Sequence, residues 1–164
     1  MSVALAALDA VVRVTGPNGE RTIPFAEFHR LPGDRPDLDT TLQPGELITS
    51  VDLPPPLFAK HSKYLKVRAR ASFAFALVSV ATALQMNGNT VKSARIALGG
   101  VAHKPWCANA TEQALLGKPL NRSTLQSAAA LAVQGAQLQR DNAFKVALAQ
   151  RAIVRAVQQA GGVA

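Results

Sequence analysis

The sequence predicts an α+β fold, an antiparallel β-sheet followed by a three-helix bundle, and three observations carry that expectation. Residues 75–86 and 91–98 alternate β-branched and aromatic residues with small or polar ones around Asn87-Gly88-Asn89, residues suited to the positive φ of a tight hairpin turn. Beyond Gly100 the pattern changes to apolar residues recurring every three or four positions in Ala-rich stretches. Strands are thus gathered ahead of helices instead of alternating with them, the ordering of an α+β plan.

The remaining elements follow in order. Residues 3–10, VALAALDA, read as the end of a helix whose packing partners lie upstream, with Val3, Leu5 and Leu8 as an apolar surface open to self-association. Residues 11–15 and 21–24 alternate around Gly16-Pro17-Asn18-Gly19, a small hairpin with turn residues where the turn needs them. A short helix opens at Pro24, places Phe25, Phe28 and Leu31 on one side and stops at Pro32-Gly33. An exposed, acid-rich loop containing Asp34, Asp37 and Asp39 leads to Pro44. Residues 46–53, ELITSVDL, alternate as a strand and end at Pro54-Pro55-Pro56, where missing amide donors and polyproline stiffness mark a boundary. Residues 1–56 and 57–164 are therefore expected to be separate units, with a sheet over about 62–99 and helices over about 108–161. The three helices are expected over 109–116, capped by Asn109 with Glu112 three residues on, over 123–139, and over 142–160.

Composition narrows the function classes. With 164 residues and 48% hydrophobic content the chain can bury a core, and the Gln, Arg and Lys spread through the Ala-rich helices argue against a bilayer span. The start lacks a cationic export signal, so the chain is expected in the cytoplasm, or in the periplasm by co-export with a signal-bearing partner. One cysteine, Cys107, cannot form an internal disulfide or hold zinc or an iron–sulfur cluster by itself. His29, His61 and His103 are far apart, with no ligand spacing about them, and no Ser–His–Asp, Cys–His or paired-carboxylate pattern supplies catalysis. Eighteen basic against ten acidic residues give a net charge of +8, which suits an anionic cofactor, an acidic protein surface or nucleic acid. The densest basic segment is Lys60, Lys63, Lys66, Arg68 and Arg70, interleaved with Tyr64 and Leu65, and in a strand Lys66, Arg68 and Arg70 would share a face.

KYLKVRARASFAFALVSVA (63–81) followed by IALGGVAHKPWCA (96–108) resembles the flavin subunit of molybdenum hydroxylases, the xanthine dehydrogenase, aldehyde oxidoreductase and carbon monoxide dehydrogenase family. QPGELITSVDLPPP (43–56) is similar to the same family's segment just before its C-terminal domain, so the resemblance covers nearly the whole chain. Its appearance is nearest the aldehyde oxidoreductase branch. The resemblance implies that residues 1–56 are a remnant of the FAD-binding domain and 57–164 the flavoprotein C-terminal domain. The family's Gly-rich turn for the flavin pyrophosphate has no counterpart here, and this chain by itself is expected to retain FAD poorly.

The resemblance also makes Lys66 and Ile48 cofactor contacts. Read alone, Lys66 is a solvated cation on a strand edge and Ile48 a core strand residue. Ala69 stands where family members often carry an acid, which leaves Arg68 and Arg70 freer to meet a partner. Gly99-Gly100 matches no phosphate-binding pattern and reads as a backbone bend, and Lys104-Pro105-Trp106 as the cap of a small core. The expected role is the C-terminal portion of the FAD subunit of a molybdenum-containing oxidoreductase, covering the flavin and helping subunits assemble. Electrons would reach FAD from molybdenum through iron–sulfur centres on partner subunits. Two rival readings are a basic nucleic-acid-binding module, with Tyr64 available for stacking, and a non-enzymatic protein-interaction domain. No recognised nucleic-acid motif supports the first, and neither nucleic acid nor membrane is an expected partner.

Overall fold

A computed structural model describes residues 1–163. The elements run α1 (Ser2–Ala7), β1 (Val11–Gly16), β2 (Gly19–Pro24), α2 (Phe25–Phe28), β3 (Leu47–Asp52), β4 (Ser62–Val67), β5 (Val78–Asn87), β6 (Thr90–Gly99), β7 (Trp106–Cys107), α3 (Asn109–Leu115), α4 (Arg122–Leu131) and α5 (Phe144–Gly161). They form two antiparallel sheets, one ordered β2-β1-β3 and the other β4-β5-β6-β7. The expected α+β plan is therefore present, with β7 as an added edge strand.

The larger sheet is covered on both faces, and strand parity decides which side chains serve which face. Val78, Val80 and Leu84 of β5, with Val91, Ala94, Ile96 and Leu98 of β6, are buried in the main core with Leu115, Leu125, Ile153 and Val157 from the helices. The opposite face is built from small residues: Ser79 pairs Gly99 and Ala81 pairs Ala97. This lowered surface lets α1 lie close. A β-carbon built on Gly99 would stand 2.6 Å from both Val3 Cγ2 and Ser79 Oγ. A second core then forms from Ala6, Ala7, Ala10, Val12, Val14, Phe25 and Phe28 against Ala81 and Ala97.

Several expected features move. The upstream partner assigned to the first helix is found inside the chain: Ala6 and Ala7 are buried, and Val3 and Leu5 are partly covered by the second core. The long strand starts at Val78 instead of Phe75, because residues 68–76 form a loop closed by the Leu77 amide donating to the Val67 carbonyl. In the hairpin turn the positive φ falls on Gly88 alone, at 56°. The second helix of the bundle ends at Leu131, leaving Leu138 exposed, whereas its start is held by the Asn121 side chain, which accepts from the Thr124 amide at 2.9 Å. Leu31, expected on the covered side of α2, lies beyond it and is exposed.

Asn109 does not cap α3, and Glu112 does not reach back to the helix start. Asn109 is the first helical residue, and Ala108 precedes it without a side-chain cap. Glu112 turns to the sheet, where its Oε1 accepts the Ile96 amide at 2.7 Å. β7 pairs only Ala97 and Leu98 of β6, so Ile96 directs its amide at a place with no strand. The carboxylate fills that place. The Ile96 carbonyl accepts from the Ala108 amide at 2.8 Å, and both outward groups of this residue are satisfied.

Candidate functional site

β4 places its side chains by the same parity. Leu65 pairs Val80 and Val67 pairs Val78, so both pack on the main core, whereas Tyr64 pairs Ala81 and Lys66 pairs Ser79 on the opposite face. Lys66 is exposed and takes part in no ion pair among the described residues. The same holds for Lys60, Lys63 and Arg68, which makes this end of the sheet a cluster of uncompensated cations.

Arg68 and Arg70 do not share the strand face of Lys66. β4 ends at Val67, and Arg70 folds into the following loop, where its guanidinium donates to the Phe73 carbonyl. Phe73 sits at φ 44°, a conformation uncommon for a bulky residue. The loop offers two bare phenyl rings, Phe73 at 95% and Phe75 at 98% exposure. Sequence reasoning placed Phe75 inside a strand and missed them. The available signal was the set of small residues Ala69, Ala71, Ser72, Ala74 and Ala76 around the two aromatics, which offers little to bury in a strand.

Ile48 lies on β3 opposite Val14, and Val51 lies opposite Val12. A register shift between Arg13 and Val14 leaves Thr49 unpaired and puts Ile48 and Val51 on one face although they are three residues apart. Val12 and Val14 are buried, but β3 is a sheet edge, and Ile48 stays 49% exposed beyond the cover that reaches β1. The approach to β3 is fixed by Arg21, whose guanidinium makes a two-pronged contact with Glu46 at 2.6 and 2.7 Å. The Gln43 amide donates to the same carboxylate at 2.7 Å. Together, the Arg21 contact first, they hold the Glu46 carboxyl down at about 2.

Ile48 and Lys66 thus belong to different sheets, and neither lines the apolar cleft beside α1. That cleft, about 370 Å³ and mostly apolar, lies between α1, Pro54-Pro55-Pro56 with Phe58, and the Tyr64 and Ala81 face of the sheet. Gly99 and Gly100 are close-approach points, not a phosphate cradle. Gly100, at φ 78°, would bring a β-carbon within 2.8 Å of the Leu77 carbonyl oxygen. The sharp bend there returns the chain beside the loop that carries the phenyl rings.

The remaining candidates have structural surroundings. Lys104 Nζ donates to the Ala26 carbonyl at 3.1 Å, tying the segment before β7 to α2, while Trp106 stays half exposed on β7. His29 lies against Phe25 and Phe28 with ring centroids 5.2 and 5.0 Å away. Burial, with Lys104 nearby, lowers its pKa. His61 Nδ1 lies 3.1 Å from the Ala160 carbonyl, joining the start of β4 to the end of α5. Burial raises the Cys107 thiol, with the Glu112 and Asp9 charges adding to it. Among the described residues no three His, Cys, Asp or Glu side chains gather at a metal-binding spacing, and no helix is long and apolar enough to cross a membrane.

This chain belongs to the flavoprotein family defined by the CO dehydrogenase flavoprotein C-terminal domain, whose model matches residues 63–160. A second model, the FAD binding domain in molybdopterin dehydrogenase, matches residues 1–56. Among individual proteins, the chain is similar to the aldehyde oxidoreductase FAD-binding subunit PaoB of Escherichia coli (strain K12), with 46% identity over 98% of this chain and 47% of that subunit. It is 35% identical to the glyceraldehyde dehydrogenase medium chain of Sulfolobus acidocaldarius, over 74% of this chain and 41% of the other. Among solved structures, a reconstituted CO dehydrogenase from Oligotropha carboxidovorans superposes with a TM-score of 0.87 at 27% identity, covering 100% of this chain and 57% of the matched one. The chain spans about half the length of the curated relatives it matches.

Proposed function

We propose that this chain is the C-terminal portion of the FAD subunit of a molybdenum-containing aldehyde or xanthine-type oxidoreductase. It covers one side of the flavin and helps the subunit assemble with molybdenum-cofactor and iron–sulfur partner subunits. The observation that carries this reading is the 46% identity, along 98% of the chain, to a subunit named as FAD-binding in an aldehyde oxidoreductase. The division into 1–56 and 57–164 belongs to the same reading. It is supported by the change of sheet across Pro54-Pro55-Pro56 and by the separate family matches on either side.

This reading assigns the ring end of a flavin to side chains of suitable chemistry. Lys66 offers an exposed cation without a carboxylate, Phe73 and Phe75 in the adjoining loop offer planar apolar surface, and Ile48 offers a bare aliphatic group. When bound, FAD supplies the redox chemistry, and the part left to the protein is orientation and charge. Lys66 would donate a hydrogen bond to the polar edge of the ring and favour negative charge there. The phenyl rings would keep water from one side. The paired glycines serve close packing and form no cradle for the pyrophosphate end. The 164-residue chain by itself therefore binds FAD weakly.

Lys66→Ala in the flavin-loaded subunit is expected to weaken FAD retention about tenfold or more, the scale of a hydrogen bond to a charged group at about 1.5–3 kcal/mol. It should also shift the flavin potential to a more negative value, because a positive group beside the reduced ring is lost. Unaltered flavin content together with an unaltered potential would contradict the role. Self-association, expected at first through Val3, Leu5 and Leu8, is better supported by the β3 edge. Leu47, Ile48, Val51 and Leu53 are all exposed there, with Leu47 at 73%. The chain is expected to form dimers or larger species by light scattering, and Ile48→Lys with Val51→Lys to yield monomer; a monomeric unsubstituted chain would contradict this.

A further inference from the structure

On the outer side of the helical layer, α4 and α5 leave a groove of about 820 Å³. Arg122 and Gln126 of α4 line it together with Gln150, Arg151, Arg155 and Gln158 of α5. The three arginines are exposed and none enters an ion pair among the described residues. Among the described residues no carboxylate lines the groove, and neither helix contains Asp or Glu. Outside Arg95, which meets Asp9 and Glu112, and Arg140, which meets Asp141, the basic side chains after Pro54 enter no ion pair among the described residues. Three like charges gathered in one groove repel one another, so the arrangement weakens the isolated fold slightly and favours an anion that neutralises it.

The chemistry of the lining selects the kind of anion. Guanidinium groups present forked donors that match carboxylates two bonds at a time, and each glutamine supplies both donor and acceptor to a passing main-chain amide. Arg151 and Arg155 are one turn apart on α5, a rise of about 6 Å, close to the separation of alternate side chains on an extended strand. Among the described residues no aromatic side chain lines the groove, so it lacks the stacking platform of single-strand nucleic-acid sites. From this we infer that the α4–α5 groove docks an acidic polypeptide segment of a partner protein, with Arg122, Arg151 and Arg155 taking Asp or Glu carboxylates. The inference does not depend on the flavin reading, because it uses the other face of the molecule and no cofactor.

The test is fluorescence anisotropy of a labelled oligoglutamate peptide titrated with the full chain at low and physiological ionic strength. The unsubstituted chain is expected to bind the peptide, more weakly as salt increases. Arg151→Gln with Arg155→Gln is expected to weaken binding about tenfold, and glutamine keeps the helix propensity of these positions. Lys92→Gln with Lys118→Gln, which removes the same charge from exposed sites outside the groove, is expected to leave affinity within about twofold. Absence of peptide binding would overturn the inference, as would equal losses in the two double variants. So would tighter binding of single-stranded oligothymidylate that is lost with the arginine pair.

Discussion

Glu112→Ala is expected to destabilise the chain by about 1–3 kcal/mol, because it leaves the buried Ile96 amide without an acceptor at the point where β7 has stopped pairing. Glu112→Gln keeps an oxygen at the same place and should lose much less. The two variants also differ in pH dependence. Burial raises the Glu112 pKa above its usual 4.5, outweighing the opposing Ile96 hydrogen bond and the Arg95 charge. The folded state thus holds this proton to higher pH than the unfolded chain, so the contribution of Glu112 favours folding most below its unfolded pKa. That contribution declines as pH rises from about 4.5 through the raised folded value. Chemical denaturation of the unsubstituted chain should show this decline, and Glu112→Gln should remove it. A Gln variant with the same pH profile would show that another group is responsible.

Gly99→Val is expected to cost about 1–3 kcal/mol, the range for forcing extra carbons into a packed site. The new β-carbon would meet Val3 Cγ2 and Ser79 Oγ, and the branched side chain would push α1 off the sheet. Since α1 and the β1–β3 sheet share one core, the disturbance should spread through residues 1–28 while leaving the helix-side core intact. Hydrogen exchange reads this directly. Faster exchange in β1 and β2 with little change in α5 is the expected pattern, and uniform acceleration would mean that the two cores do not respond separately. Val3→Ala with Gly99→Val should recover part of the loss, which distinguishes this contact from a general effect of valine.

What the sequence made legible, and what it hid, follows from range of interaction. The hairpin of β5 and β6, the Pro17-Asn18 turn and the span of α5 rest on local rules of periodicity and turn chemistry, and all three are present near their expected bounds. Glu112 shows the opposite case. Three residues after Asn109 it fits a capping box, but the Ile96 amide across the core is a donor that local pattern cannot reveal. Likewise VALAALDA looks unpartnered until Ser79, Ala81, Ala97 and Gly99 are seen to form one low surface on the paired strands. The helical periodicity expected to reach residue 139 gave way at Leu131, where Gly135, at φ 76°, and the polar run after it offered no apolar face.

For the candidate site, the sequence supplied Lys66 on a strand and Ile48 on another, and both lie on strands with exposed side chains. It did not supply the loop geometry. Strand parity puts Arg70 on one face with Lys66, yet its hydrogen bond to the Phe73 carbonyl draws it into the turn that presents the phenyl rings. The α4–α5 groove was hidden for a related reason. Arg122 and Arg151 are far apart in sequence, and only packing of the two helices gathers them.

Flavin released by denaturation from the subunit isolated from its own cells in its native assembly, quantified against protein, decides whether this chain is part of a flavin subunit. One FAD per copy, close to stoichiometric, is the predicted result. An assembly whose subunit releases no flavin would rule out the flavin-subunit role.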